Sequence, residues 1–312
     1  MNEAPPTDSP DHDTDPPVWF SAVLQELFGK IIWQLTSGPG PTTVEGIHDT
    51  RVAIRRFRSL MRDLKTILDT APFRPLRKQL KKLADDMGAV RDEDVFIEGL
   101  AKMAGEAKSP VAIHHLLESS HERRGKALQK LSTTLEKISA DELSKLFDSG
   151  SESVFGAPEL FWPTSVSAAG RDLIHRRLAE LIDASEPIYD PSDSKGLHKM
   201  RIAAKRLRYT SNIYVPIFGD QLREFVDETA DLQTFLGETH DNDLWIADIS
   251  AQLQKRERGT ARSRSEKNEL ASLLAKLVRK RAKRYARALK LWTEWQETGR
   301  FDQVRALIGS DK

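Results

Sequence analysis

Cysteine is absent from all 312 residues, which excludes a disulfide framework, a thiol nucleophile, a zinc ribbon and a cysteine-held iron–sulfur cluster. A cytoplasmic address fits that absence. Aromatic residues are 7% of the chain, too few for rows of base-stacking platforms. No apolar run approaches the ~20 residues that span a bilayer, and the N-terminus is acidic and proline-rich instead of basic and then apolar. Membrane insertion and signal-peptide secretion are therefore disfavoured. An excess of one charge sign is also missing: 48 Lys+Arg stand against 47 Asp+Glu, a net charge of +1.

That balance hides a segregation. Residues 1–17 hold five acids, five prolines and no Lys or Arg, whereas residues 255–290 hold fourteen Lys/Arg against Glu257, Glu266 and Glu269. A stretch so poor in apolar groups cannot offset its ordering entropy, which predicts a disordered acidic tail over 1–17.

Proline removes a backbone donor and clashes with the preceding helical turn, so its positions divide the rest of the chain. The stretches Pro17–Pro39, Pro41–Pro72, Pro75–Pro110 and Pro110–Pro158 are helix-sized, with apolar residues recurring every three or four, and the same spacing holds after Pro163, after Pro191 and beyond Pro216. Leu76, Leu80, Leu83, Met87 and Val90 form one such stripe; Leu222, Val226, Thr229, Leu232 and Leu236 form another. Strand-type alternation is nowhere sustained. Thr42 followed by Glu45 predicts a capping box opening the second helix. The pattern predicts an all-α protein of about eight long helices.

The chain repeats itself internally. Residues 47–58 read IHDTRVAIRRFR and residues 197–208 read LHKMRIAAKRLR, with five of twelve positions identical and four conservative at an offset of 150. Gly88, Arg91, Asp92 and Asp94 recur as Gly237, His240, Asp241 and Asp243. A third pairing sets Arg123, Lys126 and Leu128 against Arg284, Arg287 and Leu289. The chain reads as two copies of a four-helix unit: a tail over 1–17, a first half over 18–157 and a second over 158–312.

On a helix, His48, Arg51, Arg55, Arg58, Arg62 and Lys65 fall within one ~100° sector, with Ala53, Phe57, Leu60, Leu64 and Ile67 opposite. This predicts a cationic ridge about 25 Å long. His198, Arg201, Lys205 and Arg208 repeat it. Like charges at these spacings repel, so an anion must compensate. Two sources are open: acids on neighbouring helices, such as Asp92, Asp94, Asp241 and Asp243, or an external polyanion. Arginine suits the second because its guanidinium stays charged and forks onto phosphate oxygens.

The paired H-x-x-R-[VI]-A-x-[RK]-R-[FL]-R segments, each followed by Gly and [RH]-D-x-D, resemble the CHAD family, the conserved histidine α-helical domain. The resemblance covers about residues 20–300. It implies two tandem four-helix bundles with pseudo-twofold internal symmetry, and a basic cavity that binds inorganic polyphosphate, in some members at polyphosphate granules. It also implies a ligand-facing set of His48, Arg51, Arg55 and Arg58 with His198, Arg201, Lys205 and Arg208. Arg56 and Arg206, Arg91 and His240, and Arg123 and Arg284 form a second tier; Arg62, from the first ridge, and Arg287, from the third pairing, complete the expected polyphosphate-binding set. The halves are unequal, since Lys205 stands where the first has Arg55 and His240 where it has Arg91. The E-x-E-x-K signature of the triphosphatase fused to some members is absent.

Other chemistry has weaker support. The dyads His48–Asp49 and His240–Asp241 invite a metal-dependent helical phosphohydrolase of the HD type, but Lys199 follows His198 in the repeat. Glu118 and His121 resemble half of a di-iron pair with no second half, and His114–His115 reads as helix surface or core. There is no Walker A loop, G-x-G-x-x-G or H-E-x-x-H. Nucleic acid is the rival polyanion, through the eight Lys/Arg of 276–290. It ranks lower because the repeat lacks interleaved aromatics, and the six Trp sit at core spacing. The sequence thus predicts a non-enzymatic binder of inorganic polyphosphate with no catalytic residues, metal or cofactor, and leaves its oligomeric state open.

Overall fold

A computed structural model describes residues 15–68, 71–104, 111–157, 160–255 and 261–309. Packing divides it into two units, Met1–Gly99 with Glu118–Ala169, and Leu100–Leu117 with Gly170–Lys312. The described residues are helical throughout their regular structure, with twelve α-helices, one 3-10 turn and no strand among them.

The first helices are α1 (Pro16–Thr36), α2 (Val44–Asp63), the one-turn α3 (Lys65–Leu68), α4 (Phe73–Ala104), α5 (Val111–Lys137) and α6 (Ala140–Phe155). Then follow α7 (Val166–Asp183), a 3-10 turn at Glu186–Tyr189, α8 (Ser194–Ile213), the one-turn α9 (Val215–Phe218), α10 (Asp220–Lys255), α11 (Ala261–Glu297) and α12 (Arg300–Gly309). Nine of these are long, not eight. The sequence reading missed the break between α5 and α6, where no proline intervenes. Ser139 makes it instead, its side chain accepting from the Glu142 N–H at 3.1 Å. At the other end of the chain, Gly299 at φ +64° separates α11 from α12.

Two other boundaries also shift. Residues 1–14 of the expected tail lie outside the described residues, but Pro16 and Pro17 belong to α1, where proline is at home in the first turn. The cap of α2 is Thr43, not Thr42: Thr43 Oγ1 accepts from Gly46 N at 3.0 Å. The equivalent cap of α8 is Asp193, accepting from Gly196 N at 2.8 Å. Both glycines are forced by close approach, since a β-carbon would meet the Gly40 carbonyl oxygen at 1.8 Å in one case and Pro187 Cγ at 2.4 Å in the other.

In the first unit, Phe28 stacks on Phe147 with centroids 4.2 Å apart, and Phe57 and Phe73 close around Phe147. In the second, Phe225, Trp292, Trp295 and Phe301 form the aromatic cluster. Both predicted apolar stripes are buried throughout. Trp19, Trp292 and Trp295 are core residues as expected, whereas Trp33 is 54% exposed, so tryptophan spacing alone overstated burial. Glu269, within the basic stretch, accepts from Ala112 N at 2.9 Å and caps α5 from a distance. Its carboxylate meets the unpaired N–H groups that every helix start leaves over, tying residues 111–117 to α11.

Candidate functional site

Helices α2 and α8 place the arginine-rich part of the repeated motif alike on their surfaces, while His48 is exposed and His198 half-buried. From Arg51 to Met61 and from Arg201 to Ser211 the sequence of buried and half-buried positions is the same residue for residue. Ala53, Phe57 and Leu60 are buried, as are Ala203 and Leu207. Arg51, Arg55, Arg56, Arg58, Arg201, Lys205, Arg206 and Arg208 are half-buried, while His48 and Arg62 are exposed. Lys65 leaves the predicted ridge because α2 ends at Asp63, so Lys65 opens α3 instead. The ridge therefore runs from His48 to Arg62.

In the first unit the ridge lies against α4. Arg51 Nη1 donates to the Ala84 carbonyl at 2.9 Å, and a β-carbon on Gly88 would stand 2.4 Å from that nitrogen. Glycine at 88 thus makes room for the guanidinium. Burial, then the positive charge of Arg55, holds Arg51 below the usual guanidinium value, with Arg91 adding to the effect and Asp92 and Asp85 opposing it. Arg58 is also lowered, first by burial; Asp85 opposes and Arg77 reinforces the shift. Both remain charged at neutral pH. His48 is lowered by burial, then by Arg91, with Arg55 and Arg51 contributing and only Asp49 opposing. The local field is positive.

The second unit repeats the arrangement with different tension. Arg201 stands 3.7 Å from the point a β-carbon would occupy on Gly237. His198 and His240 meet face to tilted face, with centroids 4.2 Å apart at 43°. His240 is held down to about 4 by burial, then Arg201 and His198, against the pull of Asp243. Burial, Arg201 and Lys205 lower His198 as well, and its buried Nδ1 has no hydrogen-bond partner among the described residues.

The second-tier residues divide. Arg91 and His240 join the sites. Arg123 forks onto Glu93 at 2.7 and 3.1 Å, Arg284 pairs with Glu238 at 2.7 Å, Arg206 lies 3.6 Å from Glu180, and Arg287 sits over the Phe235 ring. Each is engaged with a neighbouring helix of its own unit. Nor is the third repeat in the register the sequence suggested. Asp94 pairs with Arg124 at 2.5 Å and the matching Asp243 pairs with Arg281, so Arg124 and Arg281 are the structural counterparts, not Arg123 and Arg284. These aspartates therefore serve α5 and α11. Sequence reasoning missed that role.

Among the described residues no group of three or more His, Asp or Glu side chains gathers in a way that could hold a metal ion. No described helix is long and apolar enough to cross a membrane.

Fold and site define an all-α protein with a duplicated histidine–arginine helix. The CHAD domain family model matches residues 39–250, from the loop before α2 into α10, and the chain belongs to that family. A crystal structure of the CHAD domain from the plant Ricinus communis is similar at TM-score 0.68 and 19% identity, over 92% of this chain and 97% of that one. PptA from Streptomyces chartreusis is similar at TM-score 0.65 and 15% identity, over 90% of this chain and 100% of that one. No curated protein sequence matches.

Proposed function

We propose that the basic faces of α2 and α8 bind inorganic polyphosphate and that the chain is a binding module, not an enzyme. Association with polyphosphate granules in the cytoplasm would be the cellular consequence. The observation that carries the reading is the twinned ridge: two helices whose burial pattern matches from Arg51 to Met61 and from Arg201 to Ser211 carry His-x-x-Arg rows, and Asp94 and Asp243 on α4 and α10 are engaged by Arg124 and Arg281. Helix repulsion, and the Arg and Lys neighbours that add to burial in lowering the histidines, support a surplus of positive potential, which a linear polyanion relieves. Arg51, Arg55, Arg58, Arg62 and Arg91 with His48 supply one face; Arg201, Lys205 and Arg208 with His198 and His240 supply the other. Phosphate oxygens would accept from the guanidinium forks. Arg123, Arg206 and Arg284 serve as structural ion-pair partners in this reading.

The test is titration of long-chain polyphosphate into wild type and R55E/K205E, two positions outside the Arg51–Ala84 hydrogen bond. Affinity should fall at least about tenfold in the variant and should drop steeply with added salt, as counterion release requires. RNA at equal phosphate concentration should compete poorly. Unchanged affinity in the variant, salt-insensitive binding, or phosphate release in the presence of Mn²⁺ would each overturn the reading.

A further inference from the structure

Of the eight Lys/Arg in residues 276–290, Arg281 and Arg284 are held by Asp243 and Glu238 on α10. Helical spacing sets Arg279, Lys280, Lys283, Arg287 and Lys290 within another sector of α11, about 100° wide and about 17 Å long. All five are exposed, and no acid occurs between residues 279 and 290. Arg279 and Lys283 make no ion pair or hydrogen bond among the described residues. Lys280 and Arg287 lie over the rings of Trp245 and Phe235, which leaves them charged. Lys290 meets Glu294 at 3.5 Å in an exposed pair of little strength. On α10, His240 lies about 140° round the helix from both Phe235 and Trp245, so the row sits on the other side of α10 from the histidine pair. Matching Arg124 with Arg281 sets Glu122, Arg123, Lys126, Lys130 and Thr133 at the corresponding places on α5. There Arg123 is paired with Glu93 and Lys130 with Asp86. The fold therefore does not require the row on α11, whose like charges three and four residues apart repel.

We infer that this outer face of α11 is a second anion surface, separate from the ridges of α2 and α8, and that it binds the sugar-phosphate backbone of double-stranded nucleic acid without reading its sequence. A protein partner needs an aromatic or apolar anchor at the centre of its interface, and a lipid surface needs an apolar edge to insert. The neighbours of Arg279 and Lys283 on the exposed side are only Ala282 and Ala286, small enough to let a duplex approach. Single strands are held by stacking on aromatic rings, and Trp245 is half-buried beneath Lys280. What the face offers is Coulombic contact along a rigid rod, which is how proteins grip a duplex backbone before any base is read. This surface does not depend on the polyphosphate reading of α2 and α8.

Fluorescence anisotropy with a labelled DNA duplex of mixed sequence, over a series of NaCl concentrations, is measured for wild type, R279Q/K283Q, R279E/K283E and K126E/K145E, with circular dichroism melting of each. The last variant makes the same charge change at exposed positions of the first unit. Wild type should bind with a dissociation constant of about 10⁻⁶–10⁻⁴ M at physiological salt. R279Q/K283Q should reduce the salt slope by roughly two, one for each lost phosphate contact. R279E/K283E should bind the duplex at least about tenfold more weakly than wild type or K126E/K145E, while titrating long-chain polyphosphate as wild type does. No duplex binding by wild type, or an equal loss in K126E/K145E, would overturn the inference. So would binding of the single strand, or of phosphatidylserine vesicles, as tight as that of the duplex. A fall in polyphosphate affinity matching the fall in duplex affinity would overturn the separateness of the two surfaces. If R279E/K283E melts early, R279Q/K283Q decides, and an unchanged salt slope there counts against the surface. Failure of wild type to bind polyphosphate while it binds the duplex would remove only the reading of α2 and α8.

Discussion

The guanidinium of Arg51 rests directly over Gly88, so close that a β-carbon there would stand 2.4 Å from Nη1, while Arg201 keeps 3.7 Å from the same point on Gly237. A repeated glycine therefore has two different duties. Replacing glycine by alanine inside a helix stabilises by about 0.5–1 kcal/mol when space allows. G237A should gain that amount. G88A must push Arg51 off the Ala84 carbonyl, losing a charge-assisted hydrogen bond of about 1.5–3 kcal/mol, and should be net destabilised. Thermal melting of the two variants should give shifts of opposite sign.

Asp86 anchors α5 to α4. It is buried and accepts from Lys82 at 2.7 Å and Thr134 at 2.8 Å, with Lys130 at 2.8 Å. Burial alone would raise its carboxyl, but the hydrogen bonds from Lys130, Lys82 and Thr134 outweigh that and hold it at about 2, below the ordinary 3.8. A depressed carboxylate contributes stability that is fully present above 3.8 and lost as pH falls through 2. Because both lysines are largely exposed, D86N should cost only about 1–2 kcal/mol at neutral pH. It should also flatten the acid limb of stability between pH 4 and 2, which melting across that range reads directly.

His240 gives a second pH dependence. Its folded value of about 4 lies below the ordinary 6.5, so its contribution to stability is complete above 6.5 and declines as pH falls toward 4. A bound polyanion reverses the local field and favours imidazolium. Polyphosphate should therefore bind more tightly as pH falls from 7 to 5, with measurable proton uptake, and H240N should remove much of both effects. Calorimetry in buffers of different ionisation enthalpy checks the uptake.

Asp94 and Arg124 separate structure from binding. Asp94 is buried and pairs with Arg124 at 2.5 Å. D94N should lower stability by about 1–3 kcal/mol, because it leaves a half-buried guanidinium without its charge partner. It should leave polyphosphate affinity unchanged. R55Q is the complement, expected to weaken binding at little cost in melting temperature. A parallel fall of affinity and stability in D94N would mean the aspartate also shapes the ridge.

Much of this was legible before any coordinates. The stripe Leu76, Leu80, Leu83, Met87 and Val90 is fully buried, because a helix buries whichever face its apolar residues share. The repeat at an offset of 150 reappears as matched burial along α2 and α8. Other features were one step out of reach. Thr42, with Glu45 three residues on, looks the better cap in sequence, but α2 opens one residue later, behind Thr43. The turn at Ser139 carried an S-x-x-E pattern with no proline to mark it. Trp33 sits at core spacing yet is exposed, since no described residue covers that side of α1.

What the sequence by itself determined is everything governed by contacts three or four residues apart: helical class, apolar faces, and a duplicated row of His and Arg. Tertiary structure alone decided how those charges are spent. Asp94 belongs to Arg124 and Asp243 to Arg281, Arg123 to Glu93, and Arg77 stands beside Arg58. Desolvation and ion pairing act between side chains tens of residues apart, and no local period encodes which of them will meet.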